Sequence, residues 1–284
     1  MNPESQRPVD VGFPKIDTHC HVFDPLNFPY HPDVAYRPAG GEIAPASYLR
    51  HLMDSHGISH ALLVQPNSGY GADNRCLLDA IETGGNRFKG IAIADVSCGA
   101  AELQELKARG VVGIAHNFAL LGADGYAGHE KFWERLAAAD LLVQIQVRDD
   151  QITQLAPAIR HSSARFLIDH CGRPDLRDGP QGAGFFALLA LAETGRCHIK
   201  LSGFDKFSAL EYPYPDADRH VAEILAAYGP AHCLWASDWP HLRARQRLDI
   251  GALLSLFERQ VPDPVVRNQI LFETPFKLLG FQQD

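Results

Sequence analysis

Eight short runs rich in β-branched and other apolar residues recur along the chain, each bounded by Gly, Asp, Asn or Pro, with helically spaced segments between them. They are IDTHCHV (16–22), HALLVQ (60–65), FKGIAIAD (88–95), VVGIAHN (111–117), LLVQIQV (141–147), RFLIDH (165–170), HIKLSG (198–203) and CLWASD (233–238). The intervening segments, among them APASYLRHLMDSHG, ADNRCLLDAIETGG and HEKFWERLAAAD, mostly begin near Ser, Asp or Gly, and several stop at Gly. Eight such units in 284 residues fit an α/β fold of the (β/α)8 barrel type, whose usual size is about 250 residues. We therefore expect one domain over 1–284, with an N-terminal extension at 1–15 and the last helical segments completing the outer ring. An open doubly wound sheet competes, but no G-x-G-x-x-G follows the first run. Polar residues also gather at the ends of nearly all the runs rather than at one switch point.

The partner class is narrowed by charge. A formal net charge of -8 disfavours nucleic acid and anionic membrane surfaces, which require clustered basic residues. Six scattered cysteines form no C-x-x-C pair, as expected of reduced thiols in the cytoplasm. The N-terminal MNPESQRPVDVGFPK has no apolar core of the kind a secretory signal needs, and no apolar run approaches the roughly 20 residues of a membrane span. The expectation is a soluble cytoplasmic protein acting on a small molecule; monomer and homo-oligomer are equally open.

Alternation within the first run puts Asp17, His19 and His21 on one face and Ile16, Thr18, Cys20 and Val22 on the other. Residues two apart on a strand are separated by about 7 Å, close enough for two imidazoles to converge on one atom. Later runs end in Gln65, Asp95, His116 with Asn117, Asp169 with His170, Ser202 and Asp238. If those ends share the mouth of one barrel, His19, His21, His170 and Asp238 become neighbours. A single buried histidine is usually a satisfied core residue, whereas two adjacent desolvated imidazoles are costly unless something binds both. Asp238 could take a proton from water while the imidazoles donate to a developing oxyanion. The same four residues are also acceptable ligands for Zn2+ or another divalent metal, and the residue types do not choose between the two. Lys200, in the seventh run, needs an anionic partner such as Asp17 or Asp169, and a structural ion pair is preferred to a Schiff-base role.

IDTHCHVFDP, IDHCGRPD and WASDWPH resemble the motifs of the amidohydrolase superfamily, in the amidohydrolase-related branch that includes 2-pyrone-4,6-dicarboxylate lactonase. The likeness runs nearly end to end, through FPYHPDVAYRP, GADNRCLLDAI, GIAIAD and CGRPDLRDGPQG. It implies a distorted (β/α)8 barrel and hydrolysis of a lactone, a carboxylic ester. His19, His21 and His170 would polarise the carbonyl, and Asp238 would activate water. It implies no cofactor for the nearest members and zinc on similar ligands in sister branches. A zinc-dependent decarboxylase is the alternative activity.

The chain departs from that lactonase where carboxylates are bound. Its fourth-strand arginine is matched by Ala115, followed here by His116, and a second arginine by the apolar stretch around Leu120 and Leu121. Its fifth-strand tyrosine is matched by Gln146, and an arginine after the seventh strand at best by Lys206. Neither alanine nor leucine can replace a bidentate guanidinium, so a different substrate is expected. Substrate-binding candidates are Tyr36, Asn67, His116, Gln146, Arg148, Lys206 and His241. Tyr36, the position where the family places a substrate-contacting tyrosine, lies in a proline-punctuated 23–45 loop long enough to act as a lid.

Overall fold

The computed structural model describes residues 12–122 and 129–282. Its sheet has eight parallel strands in the order β1 to β8: β1 Lys15–Cys20, β2 Ile58–Val64, β3 Phe88–Ala92, β4 Val111–Asn117, β5 Leu142–Gln146, β6 Phe166–Ile168, β7 Cys197–Leu201 and β8 Cys233–Trp235. Helices α1 Ala46–His56, α2 Arg75–Thr83, α3 Ala100–Ala108, α4 Phe118–Leu121, α5 His129–Ala138, α6 Gln151–His161, α7 Ala183–Ala190 and α8 Asp218–Tyr228 fill the crossovers. Helices α9 Ile250–Gln260, α10 Pro264–Asn268 and α11 Thr274–Leu279 follow the last strand. Lys15 pairs with Ile58 at the start of β1, and residues 1–11 of the expected extension lie outside the described residues.

The helices form where the sequence carries an apolar stripe and a stop. In α1, Leu49 and Met53 are buried at i, i+4, and Gly57 ends the helix in the left-handed region at φ 66°. Asp263 accepts from the Val265 and Val266 amides, and Pro264 supplies the first turn of α10.

Two apolar cores result. The larger lies between strands and helices, and includes Leu63, Ile114, Val143, Ile168, Ile199 and Trp235. A second draws Ile16, Leu62, Ile91, Leu142, Leu167 and Leu234 from six different strands and is capped by Leu279 and Phe281. A cluster assembled from strands all around the sheet fills the lumen, and the C-terminal residues plug its lower end.

Closure does not rest on a regular ladder between β8 and β1. Instead Cys20 bridges Trp239, the His21 amide donates to the Trp239 carbonyl at 2.8 Å, and the Asp238 amide donates to the His19 carbonyl at 2.9 Å. The segment just beyond β8 is thereby held against the first strand, which fixes where Asp238 stands.

The expected strict alternation of the first strand fails. Between Asp17 and Cys20 the strand carries one residue more than its partner stretch Ala61 to Leu63. That bulge resets the pleat, so Ile16 joins the lumen floor while His19 and His21 line the pocket above it.

Candidate active site

The pocket at the C-terminal ends of the strands is lined by His19, His21, Gln65, Asn67, Ala115, His116, Asn117, Gln144, Gln146, Asp169, His170, Lys206, Asp238 and Leu242. At its base three imidazoles surround one carboxylate. The Oδ1 atom of Asp238 lies 3.7 Å from Nε2 of His19, 3.6 Å from Nε2 of His21 and 3.9 Å from Nε2 of His170. The His19 ring is 4.9 Å from the His21 ring and 4.7 Å from the His170 ring, centre to centre. Segments far apart in sequence are thus brought together as the barrel arithmetic requires.

Each ring is oriented from behind. Nδ1 of His21 donates to the Val64 carbonyl at 2.8 Å; a carbonyl only accepts, so in the neutral ring Nε2 carries the lone pair. Nδ1 of His170 lies 3.0 Å from the Ser202 hydroxyl. Nδ1 of His19 lies 3.2 Å from Asp169 Oδ1 and 3.1 Å from Lys200 Nζ. Lys200, fully buried, is 3.0 Å from Asp169, so of the two anionic partners considered for it Asp169 is the one in contact. Asp17 instead accepts from the Ser237 amide at 3.0 Å and from the Ser237 hydroxyl, holding the residue next to Asp238.

Burial and charge decide the protonation states. Burial, then the nearby Lys200, lowers His19 to about 3. Burial also lowers His170, against the pull of Asp238 and Asp169. Burial alone would raise Asp238, but His170, Lys206, His21 and His19 together hold it well below the usual carboxylate range. An ionised carboxylate therefore faces neutral His19 and His170 near pH 7.

Backbone strain concentrates here. Non-glycine residues with positive φ include His170 (52°), Arg173 (47°), Asp238 (60°), His241 (63°) and Arg243 (54°). Gly203, at φ 64°, lies behind His170, and a Cβ there would sit 2.5 Å from the His170 Nδ1. Gly203→Ala is therefore expected to lose about 1–3 kcal/mol of stability to strain alone and to displace His170; urea unfolding and the turnover number read the two effects.

Of the other sequence candidates, Asn67, His116, Gln146 and Lys206 line the pocket. The buried Nε2 atom of His116 meets no hydrogen-bond partner among the described residues, and burial, then His129, lowers this ring to about 3. Lys206 Nζ donates to the Leu242 carbonyl at 2.7 Å and lies 3.0 Å from Asp205 and 3.6 Å from Asp238, so its charge is already shared. Tyr36 sits farther out, in a vestibule joined to the pocket through Asn67, Ser68 and Asn117. Its hydroxyl donates to Glu42, and the Arg243 guanidinium lies 4.1 Å from its ring centre. Arg148 is exposed beyond the end of β5 and does not line the pocket. His241 lines a neighbouring cavity with His56 and Asp249, yet stands close enough to Asp238 and Lys206 for their charges to act on its ring. Sequence reasoning overlooked Leu242 as a wall and Val64 and Ser237 as supports, because a backbone carbonyl and a buried serine carry no motif.

The amidohydrolase family model matches residues 16–281. The chain belongs to the amidohydrolase family. A 4-sulfomuconolactone hydrolase of Rhizobium radiobacter is 33% identical over 96% of this chain and 93% of its own length. A D-galactarolactone isomerase of Agrobacterium fabrum is 29% identical over 94% and 93%. Among solved structures, a probable 2-pyrone-4,6-dicarboxylic acid hydrolase of Acinetobacter baumannii with citric acid bound superposes with a TM-score of 0.84 at 29% identity, covering 94% of this chain and 99% of that one. The barrel expected from the run count is that of these amidohydrolases. The donor atoms of His19, His21 and Asp238 lie within 4.8 Å of one another, as do those of His19, Asp169 and His170, so the spacing suits a divalent ion.

Proposed function

We propose that this protein hydrolyses the ester bond of a lactone, with Asp238 as the base that activates water. The observation that carries the reading is the single carboxylate oxygen held 3.6–3.9 Å from three imidazole Nε2 atoms at the mouth of the barrel. Relatives named for lactones, aligned over more than nine-tenths of the chain, support the substrate class. In the reaction, water oxygen bonds to the carbonyl carbon while its proton passes to Asp238. The oxyanion accepts hydrogen bonds from His19 and His170. Collapse breaks the ring C–O bond, and the proton on Asp238 moves to the departing oxygen, leaving a hydroxy acid and the ionised carboxylate. His21, whose Nε2 accepts in the neutral ring, is suited to orient the water rather than to polarise the carbonyl. Were a divalent metal bound, His19, His21, His170 and Asp238 would hold it, and it would acidify the bound water.

The substrate differs from a pyrone dicarboxylate. Where bidentate guanidinium groups would be needed, the pocket offers Ala115 and the amides of Asn67 and Gln146, while both amide atoms of Gln144 are held by Lys200 and Asp169. Amides pair with hydroxyl and carbonyl groups, which suits a sugar-acid lactone or an oxygenated intermediate of aromatic breakdown. On a lactone panel, 2-pyrone-4,6-dicarboxylate is expected to turn over at least about 100-fold less efficiently than the best substrate, the consequence of losing two charged contacts of about 1.5–3 kcal/mol each. Comparable efficiency would contradict this reading. Incorporation of oxygen from labelled water into the product separates hydrolysis from isomerisation. Rates unchanged by a chelator would leave the decarboxylase alternative without its zinc.

A further inference from the structure

We propose that Lys200 is a positioning residue that fixes the tautomer of His19, keeping the ring proton on Nε2, so that His19 faces the site as a hydrogen-bond donor and is withheld from divalent metals. The inference stands apart from the lactone reading, since it concerns the free protein and one ring.

The Lys200 ammonium has three protons and is fully buried, so each needs an acceptor inside the protein. Among the described residues three atoms lie in reach: Gln144 Oε1 at 2.7 Å, Asp169 Oδ1 at 3.0 Å and His19 Nδ1 at 3.1 Å. The first two are acceptors, with Gln144 held in that sense because its Nε2 donates to Asp169 Oδ2 at 3.0 Å. The third is an acceptor only when His19 carries no proton on Nδ1. A proton there would point between Asp169 Oδ1, 3.2 Å away, and an ammonium N–H, leaving a buried cationic donor opposed to another donor. The network closes without a conflict only when the His19 proton sits on Nε2, directed toward Asp238.

The two histidines of the first strand are therefore set in opposite tautomers. Val64 keeps the His21 proton on Nδ1 and its lone pair at the site; Lys200 does the reverse for His19. His170 is not fixed, because the Ser202 hydroxyl can donate or accept. Metal ligation through Nε2 of both His19 and His21 requires a lone pair on each, so His19 would have to move its proton against Lys200. Spacing fits a divalent ion at this site; the protonation of His19 does not. Without the ammonium, Asp169 Oδ1 becomes the acceptor for an Nδ1 proton on His19. That is the carboxylate–histidine support that usually accompanies a metal-ligating imidazole.

The test uses the full chain, wild type and Lys200→Met. Nitrogen-15 spectra of histidine-labelled wild-type protein, with His19 assigned from a His19→Asn sample, are expected to show His19 protonated at Nε2 and His21 at Nδ1. A His19 proton on Nδ1 overturns the proposal whether or not the variant folds. Zn2+ titrated against a competing chromophoric chelator is expected to bind Lys200→Met at least fivefold more tightly than wild type, with His19 switched to the Nδ1 proton. A folded variant with a smaller change in Zn2+ affinity overturns it equally. Loss of a buried cation by itself favours a divalent ion, so the move of the His19 proton to Nδ1 in the variant, and not the gain in affinity alone, separates tautomer control from a purely structural ion pair.

Discussion

Asp238→Asn is expected to lower kcat/KM for lactone hydrolysis by about 10²–10⁴-fold, the usual contribution of a positioned proton acceptor, while leaving the barrel folded. Asparagine matches the carboxylate in shape and tolerates the left-handed backbone at φ 60° better than most residues. It keeps the amide that donates to the His19 carbonyl, so the closure between strand ends survives. What it loses is the capacity to take a proton from water and return it to the leaving oxygen. Because His170, then Lys206, hold the Asp238 carboxyl well below the usual carboxylate range, the base does not itself limit the rate in mildly acidic solution. Steady-state rates on the best lactone, with circular dichroism as the control for folding, check the result. A variant retaining most of its activity would remove Asp238 from the role of base.

The fold was legible because its information is repetitive. Eight runs bounded by turn residues, with helical stripes between them, specify alternation at every unit, and a shift of one or two residues at a boundary does not change the count. The constellation His19, His21, His170 and Asp238 was legible for a related reason, since residues at strand ends must meet if the sheet closes. Four features were not legible. The bulge after Asp17 is set by how the first strand meets its neighbours, so Ile16 lies in the lumen against the simple alternation. Arg148 shares the parity of Gln144 and Gln146, but regular strand geometry ends at Gln146 and the chain turns outward before Arg148. The direction of His241 was not legible for a similar cause: the backbone beyond Asp238 runs through left-handed conformations that no periodicity predicts. The tautomers were invisible because they depend on a carbonyl at Val64 and an ammonium at Lys200, contributed by other strands.

The same buried imidazoles predict that the protein is acid-sensitive. Burial first, then neighbouring cations or histidines, lowers His19 and His116 to about 3 and His198 to about 4. In the unfolded chain a histidine titrates near 6.5. Below that pH the unfolded state takes up protons that the folded state refuses, so stability falls as pH falls, by roughly 2 kcal/mol for each of the three rings at pH 5. Asp17 works in the opposite direction. Burial raises it to about 6 despite its bonds to Ser237, so the folded state takes up a proton first and regains roughly 1 kcal/mol by pH 5. The histidines win, and the net loss between pH 7 and pH 5 is about 4–5 kcal/mol, a large part of the 5–15 kcal/mol that stabilises a typical domain. For a chain of this size that corresponds to a fall in Tm on the order of 10 °C, measurable by calorimetry at constant ionic strength. A Tm equal or higher at pH 5 would show that these rings take up protons in place. His116→Phe isolates one contribution: the Nε2 of His116 meets no hydrogen-bond partner among the described residues and the ring already packs against Phe118 and Phe132, so the variant loses the titration and keeps the packing. Its stability is expected to fall by about 2 kcal/mol less than that of wild type over the same pH interval.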